Sequence, residues 1–473
     1  MNDLSDLIQP DRGEAAHPIH IVDKQGFDAW LRGQSEAARA AVAAQRFGGG
    51  GYEHAILPGE RPDEWAVVTG VADRASLSCW CLARLPDALP AGRYRLAGGD
   101  AGAARLGWLL AQYRFDRYRS DRSVSAEGAS AADGAQGPRV LLVRDVAGMD
   151  RVMAEAEATF EVRDLVNTPA LDAGPDALEA AVRALPGGGA TEVTRGDALA
   201  AGFPLIHAVG MAAARGREPR LVEHRWGDPA HPRVAIVGKG VTFDTGGLDI
   251  KPAAGMRLMK KDMGGAAHAI ALAGLIVALR LPVRLHLLVP VAENAISGAA
   301  LRPGDVVRAR GGRSVEIDNT DAEGRLILAD ALVKAGEEEP ELIIDFATLT
   351  GAARVALGPD LPALFANDDR LAQQLLAAAE AEGDPMWRLP LWEGYREMLA
   401  SDIADTANSG GSFAGAITAA LFLKEFVPDG VAWAHIDTFA WRPSARPGRP
   451  KGGEALGLRA AAAAIAARFG RES

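Results

Sequence analysis

The second half of the chain alternates two kinds of apolar segment, and this alternation restricts its fold more than any other feature. Val234–Val237, Val283–Val289, Leu342–Phe346 and Ala432–Asp437 are short apolar runs, whereas Gly265–Leu281 and Leu326–Lys334 carry a helical pattern. Strands buried on both faces read as near-continuous apolar runs. Strands alternating with helices favour a largely parallel sheet covered by helices. In such sheets ligands gather beyond the carboxyl ends of the strands. The expected fold class is α/β, with a largely parallel central sheet covered by helices in the C-terminal part.

The 473 residues are long for one domain, since a domain takes roughly 150. Residues 1–148 read as a smaller N-terminal α/β domain. Phe27–Gln45 is Ala-rich and helix-like, Trp65–Val68 is a short apolar run, and Leu106–Arg119 reads as a helix. Ser123–Arg139 is small, polar and rich in Gly, Ala and Ser, as a loop or linker would be. A helical pattern from Met149 to Val166 stops at Asn167-Thr168-Pro169, because a residue before proline disfavours the helical region. Residues 149–168 are therefore expected to connect the N-terminal domain to a second one over 169–473. No internal repeat is visible.

The formal net charge of −11 argues against a broad nucleic-acid face, which would need Lys and Arg to neutralise phosphates. Cys79 and Cys81 flank Trp80 and are too few for a metal site of their own. In a strand both thiols would share one face. The first twenty residues show no basic stretch followed by an apolar core. No run of about 18 apolar residues is free of charge, so no membrane span is expected. These features together suggest a cytoplasmic location.

Two clusters of charge stand out. GKGVTFDTGGLDIKPAAGMRLMKKDMGG, from Gly238, embeds Lys239, Asp244, Lys251 and Asp262 among glycines and apolar residues. VEIDNTDAEGRLILADAL, from Val315, places Asp318, Asp321, Glu323 and Arg325 just ahead of an apolar helix. Taken singly, each charge is most simply a solvated loop residue, or a carboxylate favoured by a helix N-terminus. Asp330, inside the helix, reads as structural. Jointly, the carboxylates suggest hard oxygen ligands for divalent metal, since several cannot sit together ionised without cations. A metal pair about 3.5–4 Å apart can share such ligands, activate water and polarise a carbonyl. Lysine is an unusual ligand, because it must lose its proton. H-E-x-x-H, the phosphate-binding G-x-x-x-x-G-K-[ST] and G-x-S-x-G are all absent. His268 and His435 read as packing residues. Met256, Met259 and Met263 are either core or a flexible apolar pocket.

NTDAEGRL, Asn319–Leu326, resembles the signature of the leucyl aminopeptidase (cytosol aminopeptidase) family. The first cluster resembles that family's other metal-binding segment. ATLTGA from Ala347, ANSGGSFAGAITAALFL from Ala407 and HIDTFAW from His435 are also similar to family segments. The resemblance covers roughly residues 150–473. It implies a hydrolase that releases N-terminal residues from peptides through a metal-bridging hydroxide, with two zinc or manganese ions per subunit. It implies that Lys239, Asp244, Asp262 and Glu323 hold one ion, and that Asp244, Asp321 and Glu323 hold the other. Lys251 would stabilise the oxyanion, and Arg325 would hold a bicarbonate serving as general base. Met259, Asn319, Thr348, Leu349 and Gly351 would line the substrate site. Peptide substrates and a homohexamer are implied as well.

A two-metal phosphoesterase would use similar carboxylates but should show histidine ligands and a phosphate loop. A DNA-binding role is opposed by the acidic balance. Both readings rank below the aminopeptidase.

Overall fold

The computed structural model describes residues 4–61, 63–119 and 137–470. Most of the Ser123–Arg139 segment read as a linker lies outside the described residues. The chain divides into two compact units. One is Met1–Phe160 with Ser444–Lys451, and the other is Glu161–Pro443 with Gly452–Ser473. A continuous helix, Met149–Asn167, runs through the division.

The first unit holds a six-stranded sheet in the order Ile8–Pro10, Arg139–Val143, Gly92–Leu96, His17–Val22, Trp65–Gly70 and His54–Pro58. Only the last pair is antiparallel. Tyr94, Trp108 and Leu141 are fully buried in its core. The Gln45 carboxamide donates to Ile56 O at 2.8 Å and accepts from Ile56 N at 3.0 Å. This occupies the centre of the exposed edge strand, a common guard against edge pairing.

One local expectation is corrected here, and two gain their detail. Phe27–Gln45 is two helices, Phe27–Arg32 and Glu36–Ala44, because Ser35 caps the second by accepting from Ala38 N. The helix expected over Leu106–Arg119 spans only Ala104–Leu110. Beyond it, the Gln112 carboxamide pairs both ways with the Arg139 backbone, and Arg114 Nη1 donates to Ala111 O and Tyr113 O. Those bonds tie the chain after Leu110 to the neighbouring strand and to its own backbone, and turn it away from the helix. Cys79 and Cys81 lie in a turn rather than a strand, and no disulfide joins them.

The second unit is built on a nine-stranded sheet. Its strands are β1 (Ala190–Arg195), β2 (Arg220–Trp226), β3 (Arg233–Gly238), β4 (Gly240–Asp244), β5 (Arg284–Asn294), β6 (Leu342–Ala347), β7 (Ala363–Ala366), β8 (Trp387–Arg388) and β9 (Ala432–Asp437). The order is β8-β7-β9-β6-β3-β5-β2-β1, with β4 also paired to β5. β9, β6, β3 and β5 are mutually parallel, as are β4 and β5. The antiparallel pairs are β7–β9, β2–β5 and β1–β2.

Two helices cover this parallel centre, α1 (Gly264–Ala278) and α2 (Glu323–Gly336). Ala235, Val237, Ile343 and Ala347 join the core cluster that contains Leu326–Leu332 of α2. Phe346, of opposite parity on β6, stacks on His268 of α1. Because side chains alternate along a strand, the two helices lie on opposite faces. Gly265 lets α1 start close to the sheet, since a Cβ there would stand 2.2 Å from Phe346 O. Met259–Ala278 is long and apolar enough to cross a membrane, but 89% of its most apolar window is buried in the fold, as in a core helix.

Candidate active site

The strand ends deliver the charged residues to one place. β3 runs out at Gly238, so Lys239 follows directly, with its N–H on Phe346 O of the neighbouring strand. Asp244 is the last residue of β4. Asp262 sits in a short 3-10 helix, Met259–Met263, that leads into α1. Glu323 opens α2. One oxygen each from Asp244, Asp262 and Glu323 lies within 4.8 Å of the others, and all three residues are buried.

The lysines bind these carboxylates together. Lys239 Nζ is 2.7 Å from Asp262 Oδ2 and 2.9 Å from Glu323 Oε1. Its aliphatic stem lies across the start of α2, where Gly324 is needed because a Cβ would stand 2.4 Å from Lys239 Cε. Lys251 Nζ is 2.7 Å from Asp244 Oδ2 and also pairs with Asp321 Oδ1. Asp244 Oδ1 accepts from Gly246 N and from Asn294 Nδ2, which fixes its orientation. Asp262 Oδ1 accepts from Thr348 Oγ1 at 2.8 Å and lies 3.2 Å from Lys261 Nζ.

The electrostatics record how unfavourable this crowding is. Burial, and then the Asp244 charge, push Glu323 up to about 8. The same two causes push Asp321 up to about 6. Burial would also raise Asp262, but the Lys239 and Lys261 ammonium groups outweigh it and hold Asp262 well below the usual range. Burial would lower Lys239 and Lys251. The facing carboxylates, Asp262 first for Lys239 and Asp244 first for Lys251, raise both instead.

The donor set fits divalent cations. Asp262 Oδ2, Asp321 Oδ1 and Glu323 Oε1 are buried and accept no well-directed hydrogen bond, although ammonium groups lie close by. Buried oxygens in that state are costly. Convergent carboxylates with unused lone pairs suit Lewis-acidic ions, which need no donor hydrogen.

The remaining expected residues border the cluster or lie apart from it. Met259 and Thr348 are buried, Asn319 and Leu349 are half-buried, and Gly351 is exposed at the start of the helix Gly351–Leu357. Arg325 is buried, with Nη1 on Asn408 O at 2.6 Å and Nε without an acceptor. Burial lowers it to about 10. Asp318 is exposed. Asp330 is structural: its carboxylate accepts from the backbone N–H groups of Leu205, Ile206 and Arg310. His268 and His435 are buried, the first between Gly264 O and Leu456 N, the second on Asp345.

Several supporting residues had not been singled out in the sequence. Asn408 accepts from the N–H groups of Asp318 and Asn319 and donates to Asn319 O. It is brought there by Thr406–Ala407, which pairs parallel with Ser314–Glu316. Asp437 accepts from the N–H groups of Leu349 and Thr350. Asn408 and Asp437 both fall within segments already noted for family likeness, and that was the available signal.

Comparison with known proteins agrees with this geometry. Residues 160–462 match the model of the cytosol aminopeptidase family catalytic domain, and residues 17–129 match the M17 aminopeptidase N-terminal domain. A probable cytosol aminopeptidase of Syntrophotalea carbinolica is 43% identical over 371 residues, covering 75% of this chain and 72% of the relative. The crystal structure of cytosol aminopeptidase from Coxiella burnetii superposes with a TM-score of 0.90 at 43% identity, covering 98% of this chain and 99% of that one. The bottromycin maturation enzyme BotP in complex with Mn gives a TM-score of 0.84 at 34% identity, covering 96% of this chain and 100% of that one. Fold and comparisons together define a metal-dependent aminopeptidase. The chain belongs to the cytosol aminopeptidase family.

Proposed function

We propose that this chain releases N-terminal residues, leucine and similar ones foremost, from peptides, using two divalent ions held by Lys239, Asp244, Asp262, Asp321 and Glu323. The observation that carries the proposal is the convergence of Asp244, Asp262 and Glu323 within 4.8 Å, where Asp262 Oδ2 and Glu323 Oε1 accept no well-directed hydrogen bond. Asp244 and Glu323 would be shared by both ions. Zinc and manganese are the candidate ions, and the BotP complex with Mn supports the second. Once bound, the ions would supply Lewis acidity toward water and the scissile carbonyl.

The chain's own residues do the rest. Asp262, at one end of the cluster, would help one bound ion take up the free α-amine of the peptide, so that only an N-terminal residue fits. Lys251, its ammonium between Asp244 and Asp321, stabilises negative charge growing on the carbonyl oxygen. Preorganised charge of this kind is often the largest catalytic contribution. Arg325, with an unsatisfied Nε, anchors a small anion such as bicarbonate as general base. Met259, Asn319, Thr348, Leu349 and Gly351 line the substrate site. We further propose a division into an N-terminal domain (1–148), a connecting helix (149–168) and a catalytic domain (169–473), together with a homohexamer and a cytoplasmic location.

The test combines metal counting with turnover. Metal-stripped protein reloaded with Mn²⁺ or Zn²⁺ should bind two ions per chain and hydrolyse leucine-p-nitroanilide. Failure of every aminoacyl substrate with the loaded protein would overturn the reading.

A further inference from the structure

Three residues outside the proposed ligand set form a second electrostatic feature at the Asp262 end of the cluster. Lys261 is buried beside Asp262, and its Nζ stands 5.6 Å from the centroid of the Phe439 ring. The Arg354 guanidinium lies 4.8 Å from the same centroid. Phe439 is half-buried and Arg354 is exposed. Among the described residues Arg354 has no carboxylate partner. It folds back along its short helix until Nη2 is 3.7 Å from where a Gly351 Cβ would sit. Its charge is felt at Lys261. A line of cations, Lys239, Lys261 and Arg354, therefore leads from the buried cluster to its rim, with an aromatic ring between the outer two.

A solvent-facing guanidinium held on an aromatic ring by a cation–π contact, with no acidic partner, is an anion receptor in waiting. Its place matters. Thr348 bonds Asp262, and Gly351 follows three residues later at the start of the Arg354 helix. A peptide whose free α-amine is taken up with the help of Asp262 sends its first side chain along the surfaces next to Asp262. Lys261 links Asp262 to Phe439 and Arg354: its Nζ is 3.2 Å from Asp262 Oδ1 and 5.6 Å from the ring on which Arg354 sits.

We propose that Arg354, backed by Lys261 and seated on Phe439, is a specificity-determining residue that lets the site also take peptides whose first side chain carries a carboxylate, favouring glutamate over its neutral isostere glutamine. The nearby acidic cluster would otherwise repel such a side chain, so the cation line is what makes an acidic first residue acceptable. This inference rests on the aminopeptidase reading, and the experiment separates the two.

The measurement is kcat/KM of the metal-loaded full chain on p-nitroanilides of glutamate, its neutral isostere glutamine, and leucine. Leucine turnover tests the aminopeptidase reading alone. The inference expects a glutamate-to-glutamine ratio of about ten or more in the wild type, the tenfold that one good charge-assisted contact supplies. Arg354→Ala should bring the ratio to about one, and Arg354→Glu should take it below one. The wild-type ratio should also fall as salt rises from about 0.02 to 0.5 M, because the contact is near solvent. Active enzyme with a wild-type ratio at or below one, or a high ratio that Arg354→Ala leaves unchanged, would overturn the proposal.

Discussion

Thr348 Oγ1 donates to Asp262 Oδ1 across 2.8 Å, and this bond decides which edge of the Asp262 carboxylate faces Lys239. The same hydroxyl is 3.1 Å from Asp262 O, so its single proton is shared between two acceptors of one residue, with the shorter bond to the side chain. Partners of metal-ligating groups typically govern affinity by about 10–100-fold. Thr348→Val should lower the affinity for one of the two ions by a factor in that range and leave the other little changed. Thr348→Ser should recover most of the loss. Titration calorimetry with Mn²⁺ reads both. Equal affinities in wild type and Thr348→Val would remove this positioning role.

Glu323 sets function against stability. It is buried and pushed up to about 8, first by desolvation and then by Asp244. Without metal it is therefore a destabilising group. Glu323→Gln should raise the melting temperature of the metal-free protein. In metal-loaded protein the same change should cut kcat roughly a thousandfold or more, as expected when several kcal/mol of transition-state stabilisation are lost. Calorimetry and turnover on one preparation give both signs. Near wild-type activity would refute the bridging role assigned to Glu323.

Arg325 invites an anion test. The buried guanidinium has one donor on Asn408 O and leaves Nε without an acceptor. If an anion completes it, added bicarbonate should raise kcat of dialysed wild-type enzyme. Arg325→Met should lose most activity and all of the response. A wild type indifferent to bicarbonate would remove that part of the mechanism, without touching the metal ligands.

A pH effect on stability follows from Glu161. Burial, and then the Asp164 charge, raise its carboxyl from 4.5 to about 7. With a folded value above the unfolded one, its stabilising contribution is complete below pH 4.5 and is lost as pH rises through about 7. The full shift corresponds to about 3 kcal/mol at 1.36 per unit. Glu161 is only half-buried by surface exposure, so about 1 kcal/mol is expected after screening. Glu161→Gln should therefore stabilise the protein by about that amount at pH 8 and by nothing at pH 4. Denaturant midpoints at the two pH values check it, and a gain that does not change with pH would contradict it.

What the sequence revealed depended on how locally each feature is encoded. β3, β6 and β9 were legible because a strand buried on both faces must be apolar throughout. Asp244, Asp262, Asp321 and Glu323 were legible because they fall in two contiguous segments at strand and helix ends. Asn408 was not singled out: it acts on Asn319 from 89 positions away, through a pairing of very short strands that leaves no periodic trace. Arg354 had no local mark either, since its significance lies in Phe439, which arrives from another strand end. The helix over Leu106–Arg119 was over-read because the apolar period continues past Leu110, while the Gln112 and Arg114 side chains bond backbone groups and end it.

Arg163 and Glu454 give a test of the fold independent of catalysis. Arg163 Nη2 and Nε lie 3.0 and 3.2 Å from Glu454 Oε1, and both side chains are almost wholly buried. Removing the Glu454 carboxylate takes an ion-pair partner from a wholly buried guanidinium, at a cost of about 3 kcal/mol or more. Replacing both with apolar residues of similar volume is often neutral, because two desolvation penalties vanish together. Glu454→Ala should therefore lower the urea midpoint sharply, whereas Arg163→Met with Glu454→Met should restore much of it. The sign of the coupling separates an ion pair that stabilises by itself from one whose members only need each other. If the double variant is as unstable as the sum of the two single ones, the pair contributes through its geometry, and the argument from desolvation fails at this site.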